Sequence, residues 1–137
     1  MKVLESAENY LETILILSQN DKAVRSVDIA NELDYSKPSI SKAMKNLQTS
    51  GYISVDSDGH IKLTETGQAI AETMYERHIL ISDWLIFMGV DYKIAVNDAC
   101  RMEHVMSEQS FSAIKNHIEK WKQDIYKGKH ENPSYSA

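Results

Sequence analysis

Residues 26–64 hold the pattern that most narrows the possible folds: two short amphipathic segments, a tight break between them, and an alternating β pattern directly after. Ser26 is placed as an N-cap, and Val27, Ile29, Ala30 and Leu33 give the first segment a buried face. Asp34, Tyr35, Ser36 and Lys37 form the break. Pro38 suits the first turn of the next helix, where its missing N–H is not needed. Ile40, Ala43, Met44 and Leu47 make that helix's apolar stripe, and Gly51 ends it. Two helices joined by so short a turn form a helix-turn-helix. Tyr52–Val55 and Ile61–Thr64 then flank a Gly-containing turn, which predicts a β-hairpin and so a winged helix.

Charge sharpens that reading. The chain of 137 residues carries a net −5, which by itself disfavours nucleic acid. Yet between Tyr35 and Ser50 there are three lysines and no acid. The outer face of the second helix holds Ser36, Lys37, Pro38, Ser39, Ser41, Lys42 and Lys45. Lysines and hydroxyls near a helix N-terminus hold phosphates, and exposed polar side chains can meet base edges. These seven residues are the candidate DNA-binding set, with His60 and Lys62 as secondary candidates on the wing.

The flanks read as helices. Leu4, Ala7, Leu11, Ile14 and Leu15 recur at helical spacing, with Glu5, Glu8, Asn9 and Glu12 as polar members. A long helix opens at Thr64 and runs to about Met88, with Ile70, Met74, Arg77, Ile81, Leu85 and Met88 as its stripe and Gly89 as its stop. Another helix spans about Tyr92 to Met106, and Ser110, Phe111, Ile114, Ile118 and Trp121 mark a last one. The expected fold is mainly α: a winged helix-turn-helix over residues 1–64, an all-helical domain over 65–126, and a disordered tail over 127–137. Trp84, Leu85 and Met88 offer apolar surface for a two-fold interface, so a homodimer is expected.

One cysteine excludes an internal disulfide framework and a four-cysteine zinc site. No apolar run reaches the length of a membrane span, and the N-terminus turns acidic at once without a signal-peptide pattern. A cytoplasmic protein without membrane association or organic cofactor is the expectation. The single cysteine lies in Cys100-Arg101-Met102-Glu103-His104. On a helix Cys100, Glu103 and His104 fall at i, i+3 and i+4, so a thiolate, a carboxylate and an imidazole project from one face. That donor mixture suits a transition metal. A core cysteine beside a surface Glu-His pair is the plainer alternative. Glu12 pairs at helical spacing with Glu8 or Asn9 to offer further oxygen donors, against the alternative of a solvated acidic face. Two rival functions use the same residues: a cysteine-dependent enzyme with His104 or His78 as base, for which no oxyanion hole is evident, and a winged-helix regulator sensing an organic ligand or Cys100 oxidation.

Four pieces taken together resemble the diphtheria-toxin-repressor family of metal-dependent regulators. They are Glu8-Asn9-Tyr10-Leu11-Glu12-Thr13-Ile14, Tyr35-Ser36-Lys37-Pro38-Ser39-Ile40-Ser41-Lys42, Leu63-Thr64-Glu65-Thr66-Gly67, and Arg77-His78 with Cys100-Arg101-Met102-Glu103-His104. The resemblance covers about residues 5–122. It implies a homodimeric repressor that binds double-stranded operator DNA when divalent metal fills its site, with the helical domain serving metal binding and dimerisation. It places the ligands on Asn9, Glu12, His78, Cys100, Glu103 and His104. Iron regulators of the family often add an SH3-like domain for which this chain leaves no room, so the shorter type, similar to manganese-transport regulators, is expected. Asn9 offers a neutral oxygen where manganese regulators have aspartate and iron regulators methionine. Cys100 follows the iron pattern, because thiolate prefers softer metals. Fe²⁺ is therefore the favoured metal, Mn²⁺ the next, with Zn²⁺ or Co²⁺ as further occupants.

Overall fold

The computed structural model describes residues 4–131, so most of the expected tail, residues 132–137, lies outside the described residues. The chain divides into two compact units, Met1–Glu76 and Arg77–Ala137. In the first, α1 (Glu5–Leu17) leads through a 3-10 turn (Gln19–Asp21) to α2 (Ser26–Leu33) and α3 (Lys37–Thr49). Strands β1 (Ile53–Val55) and β2 (Ile61–Leu63) pair antiparallel, with Ile53 opposite Leu63 and Val55 opposite Ile61. Helix α4 (Glu65–Phe87) begins here and continues into the second unit. The winged helix-turn-helix is therefore present as expected.

Local chemistry sets the joints. Asp34 closes α2 in the left-handed conformation at φ 56°, which lets the chain turn within three residues. Ser36 caps α3: its Oγ accepts from the Ser39 N–H at 3.3 Å and donates to the Ser39 Oγ at 2.8 Å. Pro38 sits in the first turn. The helix α2 starts one residue earlier than its hydroxyl suggested. Ser26 is already helical and Arg25 takes the cap position, because the Arg25 N–H donates to the Asp28 carboxylate at 2.8 Å.

The core of this unit gathers Leu11, Ile14, Val24, Ile29, Ile40, Met44, Leu47, Ile53 and Ile61, each within a few per cent of full burial. Two members of the expected stripes stay outside it: Val27 is 39% exposed, and Leu4 is exposed at the helix cap. Val27 falls in the first turn of α2, two residues before Ile29 and therefore on the opposite flank of the helix. Val24 adds a contact that the alternating pattern did not reveal, its carbonyl accepting from the Ile61 N–H at 2.7 Å. At the start of α4, Gly67 lies so close to the Tyr52 carbonyl that a Cβ there would overlap it. The Thr64 Oγ1 accepts from the Gly67 N–H at 3.2 Å and donates to the Gly51 carbonyl at 2.7 Å, tying the helix start to the end of α3.

The second unit contains the rest of α4, then α5 (Tyr92–Val105) and α6 (Glu108–Glu131). Gly89 at φ 102° stops α4, its N–H donating to the Ile86 carbonyl and the Val90 N–H to that of Leu85. Helix α6 continues past Lys127, where the tail was expected to begin. Gly128, the one helix-disfavouring residue in that stretch, costs a helix only about 1 kcal/mol and does not end it. Along α5, Ala95, Ala99 and Glu103 recur every fourth residue and are all at 0% exposure. Ile81, Phe111 and Ile118 supply the unit's large buried side chains.

Candidate metal centre and nucleic-acid interface

Glu103 occupies a position that an apolar residue would ordinarily fill. The alanines one and two turns before it share its row, and its own side chain has no exposure. A buried carboxylate must have its charge shared, because isolating it costs several kcal/mol or more. Here each oxygen faces a different imidazole. Oε2 lies 3.2 Å from Nδ1 of His78 on α4, and Oε1 lies 3.2 Å from Nε2 of His104. Both histidine side chains are largely buried. The set offers a carboxylate between two imidazoles, donor types that divalent transition metals accept. These residues fit such an ion.

A fourth group anchors this arrangement. Arg77 is 6% exposed, next to His78 on α4. Its Nη1 donates to the backbone carbonyl of Glu103 at 3.0 Å and to that of Met106 at 2.7 Å. Its guanidinium carbon lies 5.1 Å from the centre of the Phe111 ring. Periodicity placed Arg77 within the buried stripe of the long helix but did not reveal its partners. A permanent charge at a buried stripe position was the available signal.

The remaining expected ligands divide between the units. Cys100 is on α5, a turn before Glu103, and is exposed. Asn9 and Glu12 are on α1 of the first unit. Asn9 is half-buried and Glu12 only 4% exposed, so Glu12 is not part of a solvated acidic face.

In the first unit all seven candidate DNA-contacting residues, from Ser36 to Lys45, are exposed on α3 or at its cap. Lys62 is exposed on β2. His60 is engaged within the wing turn, its Nδ1 3.5 Å from an Asp56 oxygen. Asp56 itself closes that turn. One of its oxygens accepts from the N–H groups of Asp58 and His60, each at 2.9 Å. The His60 N–H is the main cause holding the Asp56 carboxyl below its ordinary pKa. Tyr10 on α1 meets Tyr35 of the turn edge-on, ring centres 6.4 Å apart. Burial, then the neighbouring Tyr35, pushes the Tyr10 phenol above its ordinary pKa.

A winged helix with an acid-free, lysine-bearing second helix, on a chain that also packs histidines around a buried glutamate, has the layout of a DNA-binding regulator with a candidate cation site in its helical half. Residues 2–61 match the family domain described as the iron dependent repressor N-terminal DNA binding domain, and residues 64–133 match its metal binding and dimerisation domain. The chain belongs to this family, the diphtheria-toxin-repressor family of metal-dependent transcriptional regulators. It is 30% identical over 123 residues to an uncharacterized HTH-type transcriptional regulator of Methanocaldococcus jannaschii, covering 88% of this chain and 98% of that protein. It is 34% identical over 111 residues to the transcriptional regulator MntR of Escherichia coli O157:H7, covering 81% and 72%. Among solved structures, the manganese regulator SloR superposes with a TM-score of 0.74 at 25% identity, over 82% of this chain and 53% of SloR. This chain thus spans about half the length of that structure. The family's members are transcriptional regulators and not enzymes, which sets aside the cysteine-dependent enzyme. Among the described residues no helix is long and apolar enough to cross a membrane.

Proposed function

We propose that this chain is a homodimeric repressor that binds operator DNA through α3 and the wing when a divalent metal is bound. The observation that carries the reading is Glu103, buried with each carboxylate oxygen facing an imidazole, in a family of metal-dependent regulators. Asn9, Glu12, His78, Cys100, Glu103 and His104 are the proposed ligand set, with Fe²⁺ as the favoured metal and Mn²⁺ the next. The preference for Fe²⁺ rests on the Cys100 thiolate, a softer donor than the carboxylates around it. A bound cation would supply the positive charge that allows Glu12 and Glu103 to serve one regulatory centre. Glu103 offers the central carboxylate, His78 and His104 neutral nitrogens, and Asn9 at most an amide oxygen. The functional division is proposed to follow residues 1–64 for DNA and 65–126 for metal and dimer contacts.

As a switch, metal need only bind the DNA-competent arrangement more tightly than the alternative, and a difference of about 1–3 kcal/mol is typical of such coupling. The test is selection of a duplex from a random DNA pool by protein loaded anaerobically with Fe²⁺ or Mn²⁺, followed by titration of that labelled duplex with and without EDTA. Metal-dependent binding is the expected result. Equal binding after complete metal removal defeats the proposal. A second reading, a winged helix that senses oxidation, draws on the exposure of Cys100. It requires DNA affinity to follow peroxide treatment and to ignore the chelator.

A further inference from the structure

Arg77 is a buried cation that none of the proposed ligand roles uses. Its two acceptors are backbone carbonyls at the end of α5: Glu103 is two residues before the last helical residue, Val105, and Met106 is the residue at which the helix stops. Carbonyls in the last turn lack intrahelical donors, and last turns fray unless something else satisfies them. A guanidinium suits this position because it has several fixed donors and a permanent charge that complements the negative end of the helix dipole. The Phe111 ring on α6 lies against its planar group. One side chain therefore connects α4, the end of α5 and the start of α6.

That connection bears on Glu103 directly. The carbonyl that Arg77 holds and the carboxylate between the two histidines belong to the same residue. His78, which faces one of those oxygens, follows Arg77 in the chain. We propose that Arg77 is a positioning residue for the metal centre: by holding the Glu103 and Met106 carbonyls it fixes the last turn of α5, and with it the direction of the Glu103 carboxylate relative to His78 and His104. The inference rests on the metal-binding reading above. Groups that orient ligands without touching the ion typically change metal affinity by about 10–100-fold when removed.

The test uses the full chain, with Co²⁺ as the probe, titrated anaerobically and followed by visible absorption, whose band positions and intensities report ligand geometry. Three proteins are compared: wild type, Arg77→Met and Arg77→Lys. Methionine keeps much of the apolar stem and removes the charge and donors. Lysine restores the charge and can reach one carbonyl but lacks the planar fork. The expected result is Co²⁺ affinity roughly 10–100-fold weaker in Arg77→Met, with altered absorption bands, and partial recovery of both in Arg77→Lys. Circular dichroism should find α-helix content retained. Unchanged affinity and spectrum in a folded Arg77→Met overturn the positioning role, as does loss of fold in both variants, which would make Arg77 a residue of the fold and not of the site. If only Arg77→Met unfolds, Arg77→Lys decides, and a wild-type spectrum there overturns the role. Absence of Co²⁺ binding by the wild type would instead overturn the metal reading itself.

Discussion

A carboxylate at zero exposure persists only where its charge is shared, and Glu103 has an imidazole nitrogen 3.2 Å from each oxygen. Glu103→Ala removes the proposed central ligand and replaces it with the best helix former, so helix content should be retained. Metal should enhance wild-type DNA affinity by about 5–150-fold, the usual range of allosteric coupling, and should leave the variant unaffected. Cys100→Ser should differ in kind, losing more activation by Fe²⁺ or Co²⁺ than by Mn²⁺ because a hydroxyl is a poor ligand for softer metals. Fluorescence titration of the selected duplex checks both variants; residual metal response in Glu103→Ala would remove it from the ligand set. The proximity of Glu103 and His104 was legible in their adjacent places on the helical face. The contact with His78 was not, since it joins residues 25 positions apart and no local spacing encodes it. Glu12 illustrates the same limit. Its place among the polar members of α1 left a solvated acidic face open beside the role of oxygen donor, because burial depends on what packs over the helix.

Elements were read more reliably than individual partners, because periodicity, caps and breakers act within a few residues. The stripe Ile40, Met44 and Leu47 is buried, which turns Lys37, Lys42 and Lys45 outward. Lys42→Ala should weaken DNA binding, and if its contact is a phosphate the slope of log affinity against log salt should become shallower by about one unit. Unchanged binding in a combined Lys37→Ala, Ser39→Ala, Lys42→Ala variant would exclude α3 as the reading helix. The wing adds a pH dependence. Folding lowers the Asp56 pKa, chiefly through the His60 N–H, so the ionised carboxylate favours the closed turn. This contribution is present above the unfolded carboxyl pKa and is lost as pH falls through the lower, folded one. The protection of the Asp58 and His60 amides, measured against the exchange rate of an unstructured peptide at the same pH, should fall as the pH drops below about 4, near the ordinary aspartate value. In Asp56→Ala the acid-dependent loss of protection should vanish, with protection already lower at neutral pH. The hairpin was evident from its alternating residues, but the side chain that closes its turn was hidden among four polar residues in five positions.

At the scale of the whole molecule, the second unit leaves Phe87, Met88, Tyr92, Ile94 and Val105 exposed, in the part of the chain that matches the family's dimerisation domain. Apolar side chains in such number are unusual on a lone subunit and are what an isologous interface would cover. Met88 is 53% exposed, whereas Trp84 and Leu85, the other two expected interface residues, are half-buried within the chain. Phe87 is partly engaged internally, its ring edge-on to Trp121 at 4.5 Å. Met88 is therefore the cleanest residue to change, since it lies just past the end of α4 and its substitution disturbs little of the unit's buried interior. Wild-type protein with Mn²⁺ should sediment as a dimer at micromolar concentration. Met88→Asp would place a charge where the partner is expected, weakening the dimer by on the order of 2 kcal/mol, or roughly thirtyfold in Kd. DNA affinity should fall with it, because two reading helices about one DNA turn apart require both subunits. Circular dichroism of the variant should match the wild type. A wild-type monomer under these conditions would exclude the two-fold arrangement, and an unaltered dimer in Met88→Asp would move the interface away from the end of α4.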